Sequence, residues 1–261
     1  MLEVQGLSVV YPGRRSPALV DVSVTLRDQR MVVVGPNGSG KTTLLRACLG
    51  LAPVTRGRVR LHGQEIQDAR GLLEVSTNLA EVYGLLSVPV GDLIRLQAEL
   101  KGGDTAQTFR WVREFELDPV LPRRLHEIST GQAKMVSNLL ALSHEPRLLL
   151  LDEPFENVDL GRRRRLVSLL RRARGSVLLN THEFELLRHF EDWQLGFLLE
   201  GKFLGPYSVS DLDRLFLNRG EVPESIGQIR TTLGPFSITR DRGEAPLKGA
   251  TTFQSLMERL S

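Results

Sequence analysis

The stretch Gly35-Pro36-Asn37-Gly38-Ser39-Gly40-Lys41-Thr42 constrains this chain more than any other. An apolar run, Met31-Val32-Val33-Val34, precedes it, and a helical pattern, Thr43-Leu44-Leu45-Arg46-Ala47-Cys48-Leu49, follows. Strand, glycine-rich loop and helix N-terminus in that order make the context of a phosphate-binding loop. The glycines let the backbone curl so that successive N–H groups point at an anion, and the positive end of the helix dipole adds to the attraction. Lys41 is placed to reach terminal phosphates, and Thr42 to set its hydroxyl on magnesium.

A second constellation is Arg147-Leu148-Leu149-Leu150-Leu151-Asp152-Glu153-Pro154. Four consecutive leucines suit a strand buried on both faces, as in a parallel sheet. Asp152 and Glu153 then stand at its C-terminal end, where open α/β sheets hold their ligands. One carboxylate can serve a metal ion while its neighbour polarises a water. Two charges can also simply end a strand, but beside a phosphate loop the chemical reading is preferred. Ser176-Val177-Leu178-Leu179-Asn180 is a further strand, and Thr181-His182 sits at its end. A lone histidine is usually structural; this position makes His182 a candidate to face the phosphate.

The rest of the chain frames these sites. Leu2, Val4, Leu7 and Val9 alternate loosely and Val22 to Leu26 cleanly, so both read as half-buried strands with a turn at Tyr11-Pro12-Gly13 between them. Tyr11, an aromatic beside a loop, could stack on a purine or pack a turn. Gly57 to Gly63 reads as a strand ending in a turn, and Leu72 to Val75 as another short strand. From about residue 85 to 146 the apolar spacing turns helical, over Val90–Leu100 and Phe109–Leu117, with Gly102-Gly103-Asp104 and Asp118-Pro119 as punctuation. Residues 161–174 form a basic helix whose arginine run reads as a solvated face. Residues 195–204 read as a hairpin turning at Glu200-Gly201, and the tail from about 211 reads as less regular, ending in a short amphipathic pattern over Phe253–Leu260.

Composition narrows the classes. The formal charge of +3 carries no prediction of nucleic-acid binding, and the arginine helix lacks interleaved aromatics. A single cysteine, Cys48, excludes an internal disulfide and suits a reducing compartment; it reads as a small buried residue. No apolar run reaches the length of a membrane span, and Met1 to Gln5 lacks the layout of a signal peptide.

Taken together, these motifs resemble the ATP-binding subunit of ATP-binding cassette (ABC) transporters over about residues 2–205. Gly35 to Thr42 is similar to the Walker A loop and Leu148 to Glu153 to the Walker B strand. Tyr11 falls at the adenine-stacking position, and Ile128-Ser129-Thr130-Gly131-Gln132 at the Leu-Ser-Gly-Gly-Gln signature. Asp159 matches the D-loop aspartate and His182 the switch histidine. The resemblance implies an α/β P-loop NTPase of ABC type, with a mostly parallel core sheet, an N-terminal antiparallel part and a helical insertion. Its expected division is a core of 1–84 and 147–210, a helical signature subdomain of 85–146, and a C-terminal tail of 211–261.

It implies an ATPase using ATP and Mg2+, in which two cassettes close head to tail around nucleotide and pull on transmembrane permease subunits. The second ATPase subunit is either a copy or a different chain. On this reading Tyr11, Gly35, Pro36, Asn37, Gly38, Ser39, Gly40, Lys41, Thr42, Thr43, Ser129, Gly131, Gln132 and Asp159 bind nucleotide. Thr42, Asn78 and Asp152 hold the metal, Glu153 activates water and His182 contacts the γ-phosphate. The chain would work in the cytoplasm, on the inner face of the membrane. A soluble single-cassette ATPase in assembly or repair is the alternative; a P-loop kinase needs neither the signature segment nor Glu153.

Two positions depart from the family pattern. Thr130 replaces a glycine; a β-branched residue resists the backbone conformations that glycine permits, positive φ would be costly, and this signature is expected to engage the opposite ATP less well. Asn78 stands where the Q-loop has glutamine, one methylene shorter. The altered signature beside intact Walker motifs suggests the competent half of an asymmetric heterodimer. The tail, distantly similar to that of exporter ATPases, tilts the direction toward export.

Overall fold

Alternation at the N-terminus becomes β1 (Leu2–Val9), with Leu2, Val4, Leu7 and Val9 all buried. The pattern was loose because pairing shifts register between Val4 and Leu7, where Gly6 takes a φ of 57°. The computed structural model describes residues 1–66 and 73–260. It divides into two units: Met1–Ala69 with Asn180–Ser261, and Arg70–Leu179.

In the first unit, β1 lies between β2 (Leu19–Leu26) and β4 (Val54–Leu61), antiparallel to both, and β5 (Gln64–Glu65) extends the sheet. The buried strand β3 (Arg30–Val34) runs into the phosphate loop and then α1 (Lys41–Cys48). Cys48 is enclosed, and burial pushes its thiol pKa up to about 12, so it acts as an apolar core residue.

The second unit opens on β6 (Val75–Thr77) and α2 (Ala80–Gly84). The strand expected from Leu72 begins later. Leu72 lies outside the described residues and Leu73-Glu74 form a turn, because the parallel ladder starts only at Val75 opposite Leu148. Three helices follow: α3 (Val90–Lys101), α4 (Thr105–Glu114) and α5 (Thr130–Leu142). The start of α4 precedes the apolar pattern because Asp104 caps it, accepting from Ala106 N–H at 2.8 Å and Gln107 N–H at 3.2 Å.

Strand β7 (Leu148–Asp152) buries all four leucines, each worth about 2 kcal/mol relative to exposure. Helix α6 (Leu160–Arg172) and β8 (Ser176–Thr181) complete this part, β8 bonding to the free side of β7. The arginines of α6 are more than a solvated face. Arg162 Nε donates to Phe115 O at 2.8 Å, Arg163 Nε to Val158 O at 2.8 Å, and Arg165 to Glu114 O. Arg162 and Arg165 thereby set cations on the carbonyls that end α4, where the helix dipole favours them.

Returning to the first unit, β9 (Gln194–Leu199) pairs parallel with β3, and β10 (Lys202–Ser208) turns back on β9 through the expected Glu200-Gly201. The tail corrects the expectation of irregularity. β11 (Leu215–Arg219), β12 (Gly227–Thr231), β13 (Gly234–Arg240) and β14 (Ala245–Pro246) form an antiparallel sheet in the order β12-β13-β11-β14, followed by α7 (Phe253–Glu258). Its strands are short and separated by Gly and Pro, so period two shows only in pairs such as Leu215/Leu217 and Phe236/Ile238, all buried. Among the described residues no helix is long and apolar enough to cross a membrane.

Candidate functional site

The phosphate loop is shaped by its neighbours' backbone. A Cβ on Gly35 would lie 2.1 Å from Leu198 O, and one on Gly40 2.5 Å from Ala18 O. Gly38 and Gly40 take φ of 79° and 104°, left-handed values that alternate with ordinary ones and curl the chain into a nest. Ser39 N–H closes a turn onto Pro36 O at 3.2 Å, and Gly201 N–H holds Ser39 O at 2.9 Å. Asn37 and Gly38 are exposed at the crown, with no atom within 4 Å of a Cβ built on Gly38.

Lys41 is 6% exposed and folds back over the loop, donating to Gly35 O at 2.8 Å and Pro36 O at 3.1 Å. No side chain caps α1, and its first turn carries no acidic residue. The buried Ser39 hydroxyl has no hydrogen-bond partner among the described residues. A left-handed nest, an uncapped helix start and an enclosed cation fit a polyphosphate, so these residues suit the nucleotide expected of them. Thr42 and Thr43 open α1 on this side. Tyr11 is half-buried at its turn, its hydroxyl enclosed and without a partner among the described residues.

His182 follows β8 and belongs to the first unit, which begins again at Asn180. The next residues are fastened: Glu183 N–H donates to Thr181 Oγ1 at 3.2 Å, Glu183 bridges Thr252, and Phe184 N–H donates to Thr251 O at 2.8 Å. The tail therefore holds the segment behind His182. No sequence signal announced this, because a two-residue bridge leaves no period.

In the second unit, Asp152 ends β7 and Glu153 turns the chain with a φ of 42°. Asn78 corrects an expectation. Its side chain is 1% exposed and is not turned out toward a metal. Oδ1 accepts from Asp152 N–H at 2.7 Å; Nδ2 donates to Asp152 O at 3.1 Å and to Asn138 Oδ1 at 2.8 Å. The amide is occupied at both ends by protein. Asn138 and Lys134, which also holds Asp152 O at 3.0 Å, were not anticipated; a polar pair on the apolar side of α5 was the signal available.

The signature segment is a capping box. Ser129 caps α5, accepting from Gln132 N–H at 3.3 Å, while Gln132 Oε1 accepts from Ser129 N–H at 3.1 Å. Thr130 is the first helical residue and is not among the positive-φ positions, so the conformational penalty expected of it does not arise. Glycine is required one residue later. A Cβ on Gly131 would lie 2.2 Å from Asn157 O. Asp159 caps α6 through Arg162 N–H at 3.0 Å, a bond that holds its carboxyl below the usual range, and it is exposed.

Residues 19–156 match the family model of the ABC transporter. The taurine import ATP-binding protein TauB of Pseudomonas fluorescens is 33% identical over 194 residues, 71% of this chain and 73% of that one. The molybdate/tungstate import ATP-binding protein WtpC of Thermococcus kodakarensis is 33% identical over 218 residues, 78% of this chain and 64% of that one. Among solved structures, a putative cobalt transport ATP-binding protein superposes with a TM-score of 0.89 at 30% identity, covering 99% of this chain and 100% of the other.

Proposed function

The chain belongs to the ABC transporter family, and we propose that it is the ATP-hydrolysing subunit of a solute importer, docked on separate permease subunits at the inner face of a membrane. The observation that carries this is the phosphate loop, with Lys41 enclosed over a glycine-built nest. In hydrolysis, Gly38 to Thr43 cradle the phosphates and Lys41 balances their charge. Glu153 orients the attacking water and accepts its proton; His182 holds the terminal phosphate in place. Magnesium, when bound, would be held by Thr42 and Asp152 and would neutralise charge on the phosphate oxygens. Ser129 and Gly131, at the start of α5, face the nucleotide of a second cassette, and binding of nucleotide between two cassettes drives the conformational cycle.

Import replaces export as the favoured direction. TauB and WtpC are both named for import, and the tail, expected to resemble that of exporters, is an ordered sheet. The case for an asymmetric pair weakens too, since Thr130 sits unstrained in α5. A pair of identical cassettes is the simpler assembly. The test is Glu153→Gln: ATPase should fall by on the order of 10²-fold or more while nucleotide binding persists, and ATP with magnesium should shift the variant from monomer to dimer on size exclusion. Wild-type turnover in that variant would remove Glu153 from its role.

A further inference from the structure

We propose that Asn78 and Asn138 form a buried amide clamp that fixes the backbone around Glu153, making both of them positioning residues for hydrolysis. The proposal rests on the reading of Glu153 as the base that activates water.

Glu153 has two reasons to leave its observed conformation. Its φ of 42° lies in the left-handed region, which an L side chain resists. Its successor is Pro154, which disfavours compact backbone at the preceding residue and has no N–H to donate. Residue 154 therefore supplies no peptide donor to the turn; Glu156 N–H donates to Glu153 O at 3.1 Å, and the carbonyls on either side of Glu153 take side-chain donors.

Those carbonyls are where the two asparagines bind. Asn78 Nδ2 donates to Asp152 O, just before Glu153, at 3.1 Å, and Asn138 Nδ2 donates to Pro154 O, just after it, at 2.7 Å. The two amides are linked to each other, Asn78 Nδ2 to Asn138 Oδ1, at 2.8 Å. Asn78 Oδ1 also takes Asp152 N–H at 2.7 Å, so its side chain stands in for the next peptide group of β6 and carries the ladder one step past Thr77. Lys134 adds a third hold on Asp152 O at 3.0 Å. The result is a closed chain of bonds, from Asp152 through Asn78 and Asn138 to Pro154, spanning Glu153 on both flanks.

Burial makes this specific. Asn78 and Asn138 are 1% and 0% exposed. A buried amide is costly unless its donors and acceptors are filled, so the pair cannot rotate away without losing several bonds together. An apolar pair would avoid that cost but would leave the turn only Lys134 on Asp152 O and Glu156 N–H on Glu153 O. Asn138 stands on α5, whose first residues are the signature. The helix that would meet the nucleotide of a second cassette is thus bonded directly to the turn that aims Glu153.

The test uses the full chain and compares Asn138→Leu, which keeps the heavy-atom branching and removes both bonds, with Asn78→Ala and Lys134→Met. For the two asparagine variants kcat should fall about 10-fold or more, the scale of a small misplacement of a catalytic group. KM for ATP and binding of a fluorescent ATP analogue should stay within about twofold. Lys134→Met should show a smaller fall with the same split. In a Glu153→Gln background, Asn138→Leu should add no further loss, because the group it positions is gone. If kcat is normal in folded Asn138→Leu and Lys134→Met protein, or if the losses multiply in the double variant, the clamp is overturned. Wild-type turnover in Glu153→Gln alone would instead overturn the role of Glu153. Should Asn138→Leu fail to fold, Lys134→Met carries the same decision.

Discussion

Left-handed backbone occurs at both chemical sites, and each accommodates it differently. In the phosphate loop, Gly38 and Gly40 reach φ of 79° and 104° with no side chain to clash, and neighbouring carbonyls pack where a Cβ would stand. In the carboxylate turn, Glu153 and Asn157 reach φ of 42° and 58° with their side chains in place. Glycine removes the strain at the first site. At the second, surrounding bonds hold it: Asn78, Asn138 and Lys134 on the flanks of Glu153. A loop that binds through its amides can dispense with side chains. A turn that must present a carboxylate cannot, so its conformation has to be imposed from outside.

The comparison can be broken most directly at Gly35. Gly35→Ala puts a methyl 2.1 Å from Leu198 O, a backbone atom that cannot swing aside. We expect a loss of about 2–3 kcal/mol or more, seen as a drop of several degrees in thermal midpoint, together with loss of nucleotide binding. An unaltered melt would mean that β9 does not confine the loop.

A sharper probe sets two adjacent residues of the signature against each other. Gly131→Ala meets Asn157 O at 2.2 Å and should cost about 1–3 kcal/mol by overpacking. Thr130→Gly, which restores the common family residue, should change stability by less than about 1 kcal/mol, the helix-propensity difference, and leave ATPase within about twofold. A large gain on Thr130→Gly would show that the threonine does weaken the signature, and differential scanning calorimetry beside an ATPase assay reads both variants.

The smallest effect is in acid. Burial, and secondarily the Lys101 ammonium, lower the His144 pKa from 6.5 to about 4. Both its ring nitrogens are enclosed without a hydrogen-bond partner among the described residues. Between those two values the unfolded chain takes up a proton that the folded chain refuses, so stability falls as pH drops through that window. The residue as a whole keeps partial exposure, so the loss should stay below about 1 kcal/mol. His144→Leu should flatten that part of the stability–pH curve in urea titrations; an unchanged slope would place the sensitivity elsewhere.

Much of this was legible in the chain. The loop at Gly35–Thr42 and the strand ending in Asp152-Glu153 are local patterns, contiguous in sequence, and their elements formed as read. The helical stretches also emerged, with α4 displaced only by the cap at Asp104. The tail was not legible, because strands of two to seven residues give too few alternations to register. Asn78 was read as a shortened metal ligand because only its sequence neighbours were in view. Its partners, Asn138 and Asp152, are 60 and 74 residues away.

The sequence by itself determined the loop at Gly35–Thr42, since glycine spacing, a lysine and a helix start specify that geometry over a few residues. It also determined which carboxylates stand at the end of a buried strand. Only the tertiary structure decided what steers those carboxylates, why Gly131 must be glycine while Thr130 need not, and that the tail clasps the residues after His182. Each of these depends on contacts between segments far apart in the chain. Such contacts follow from packing and hydrogen-bond satisfaction in the folded state, and no local period encodes them.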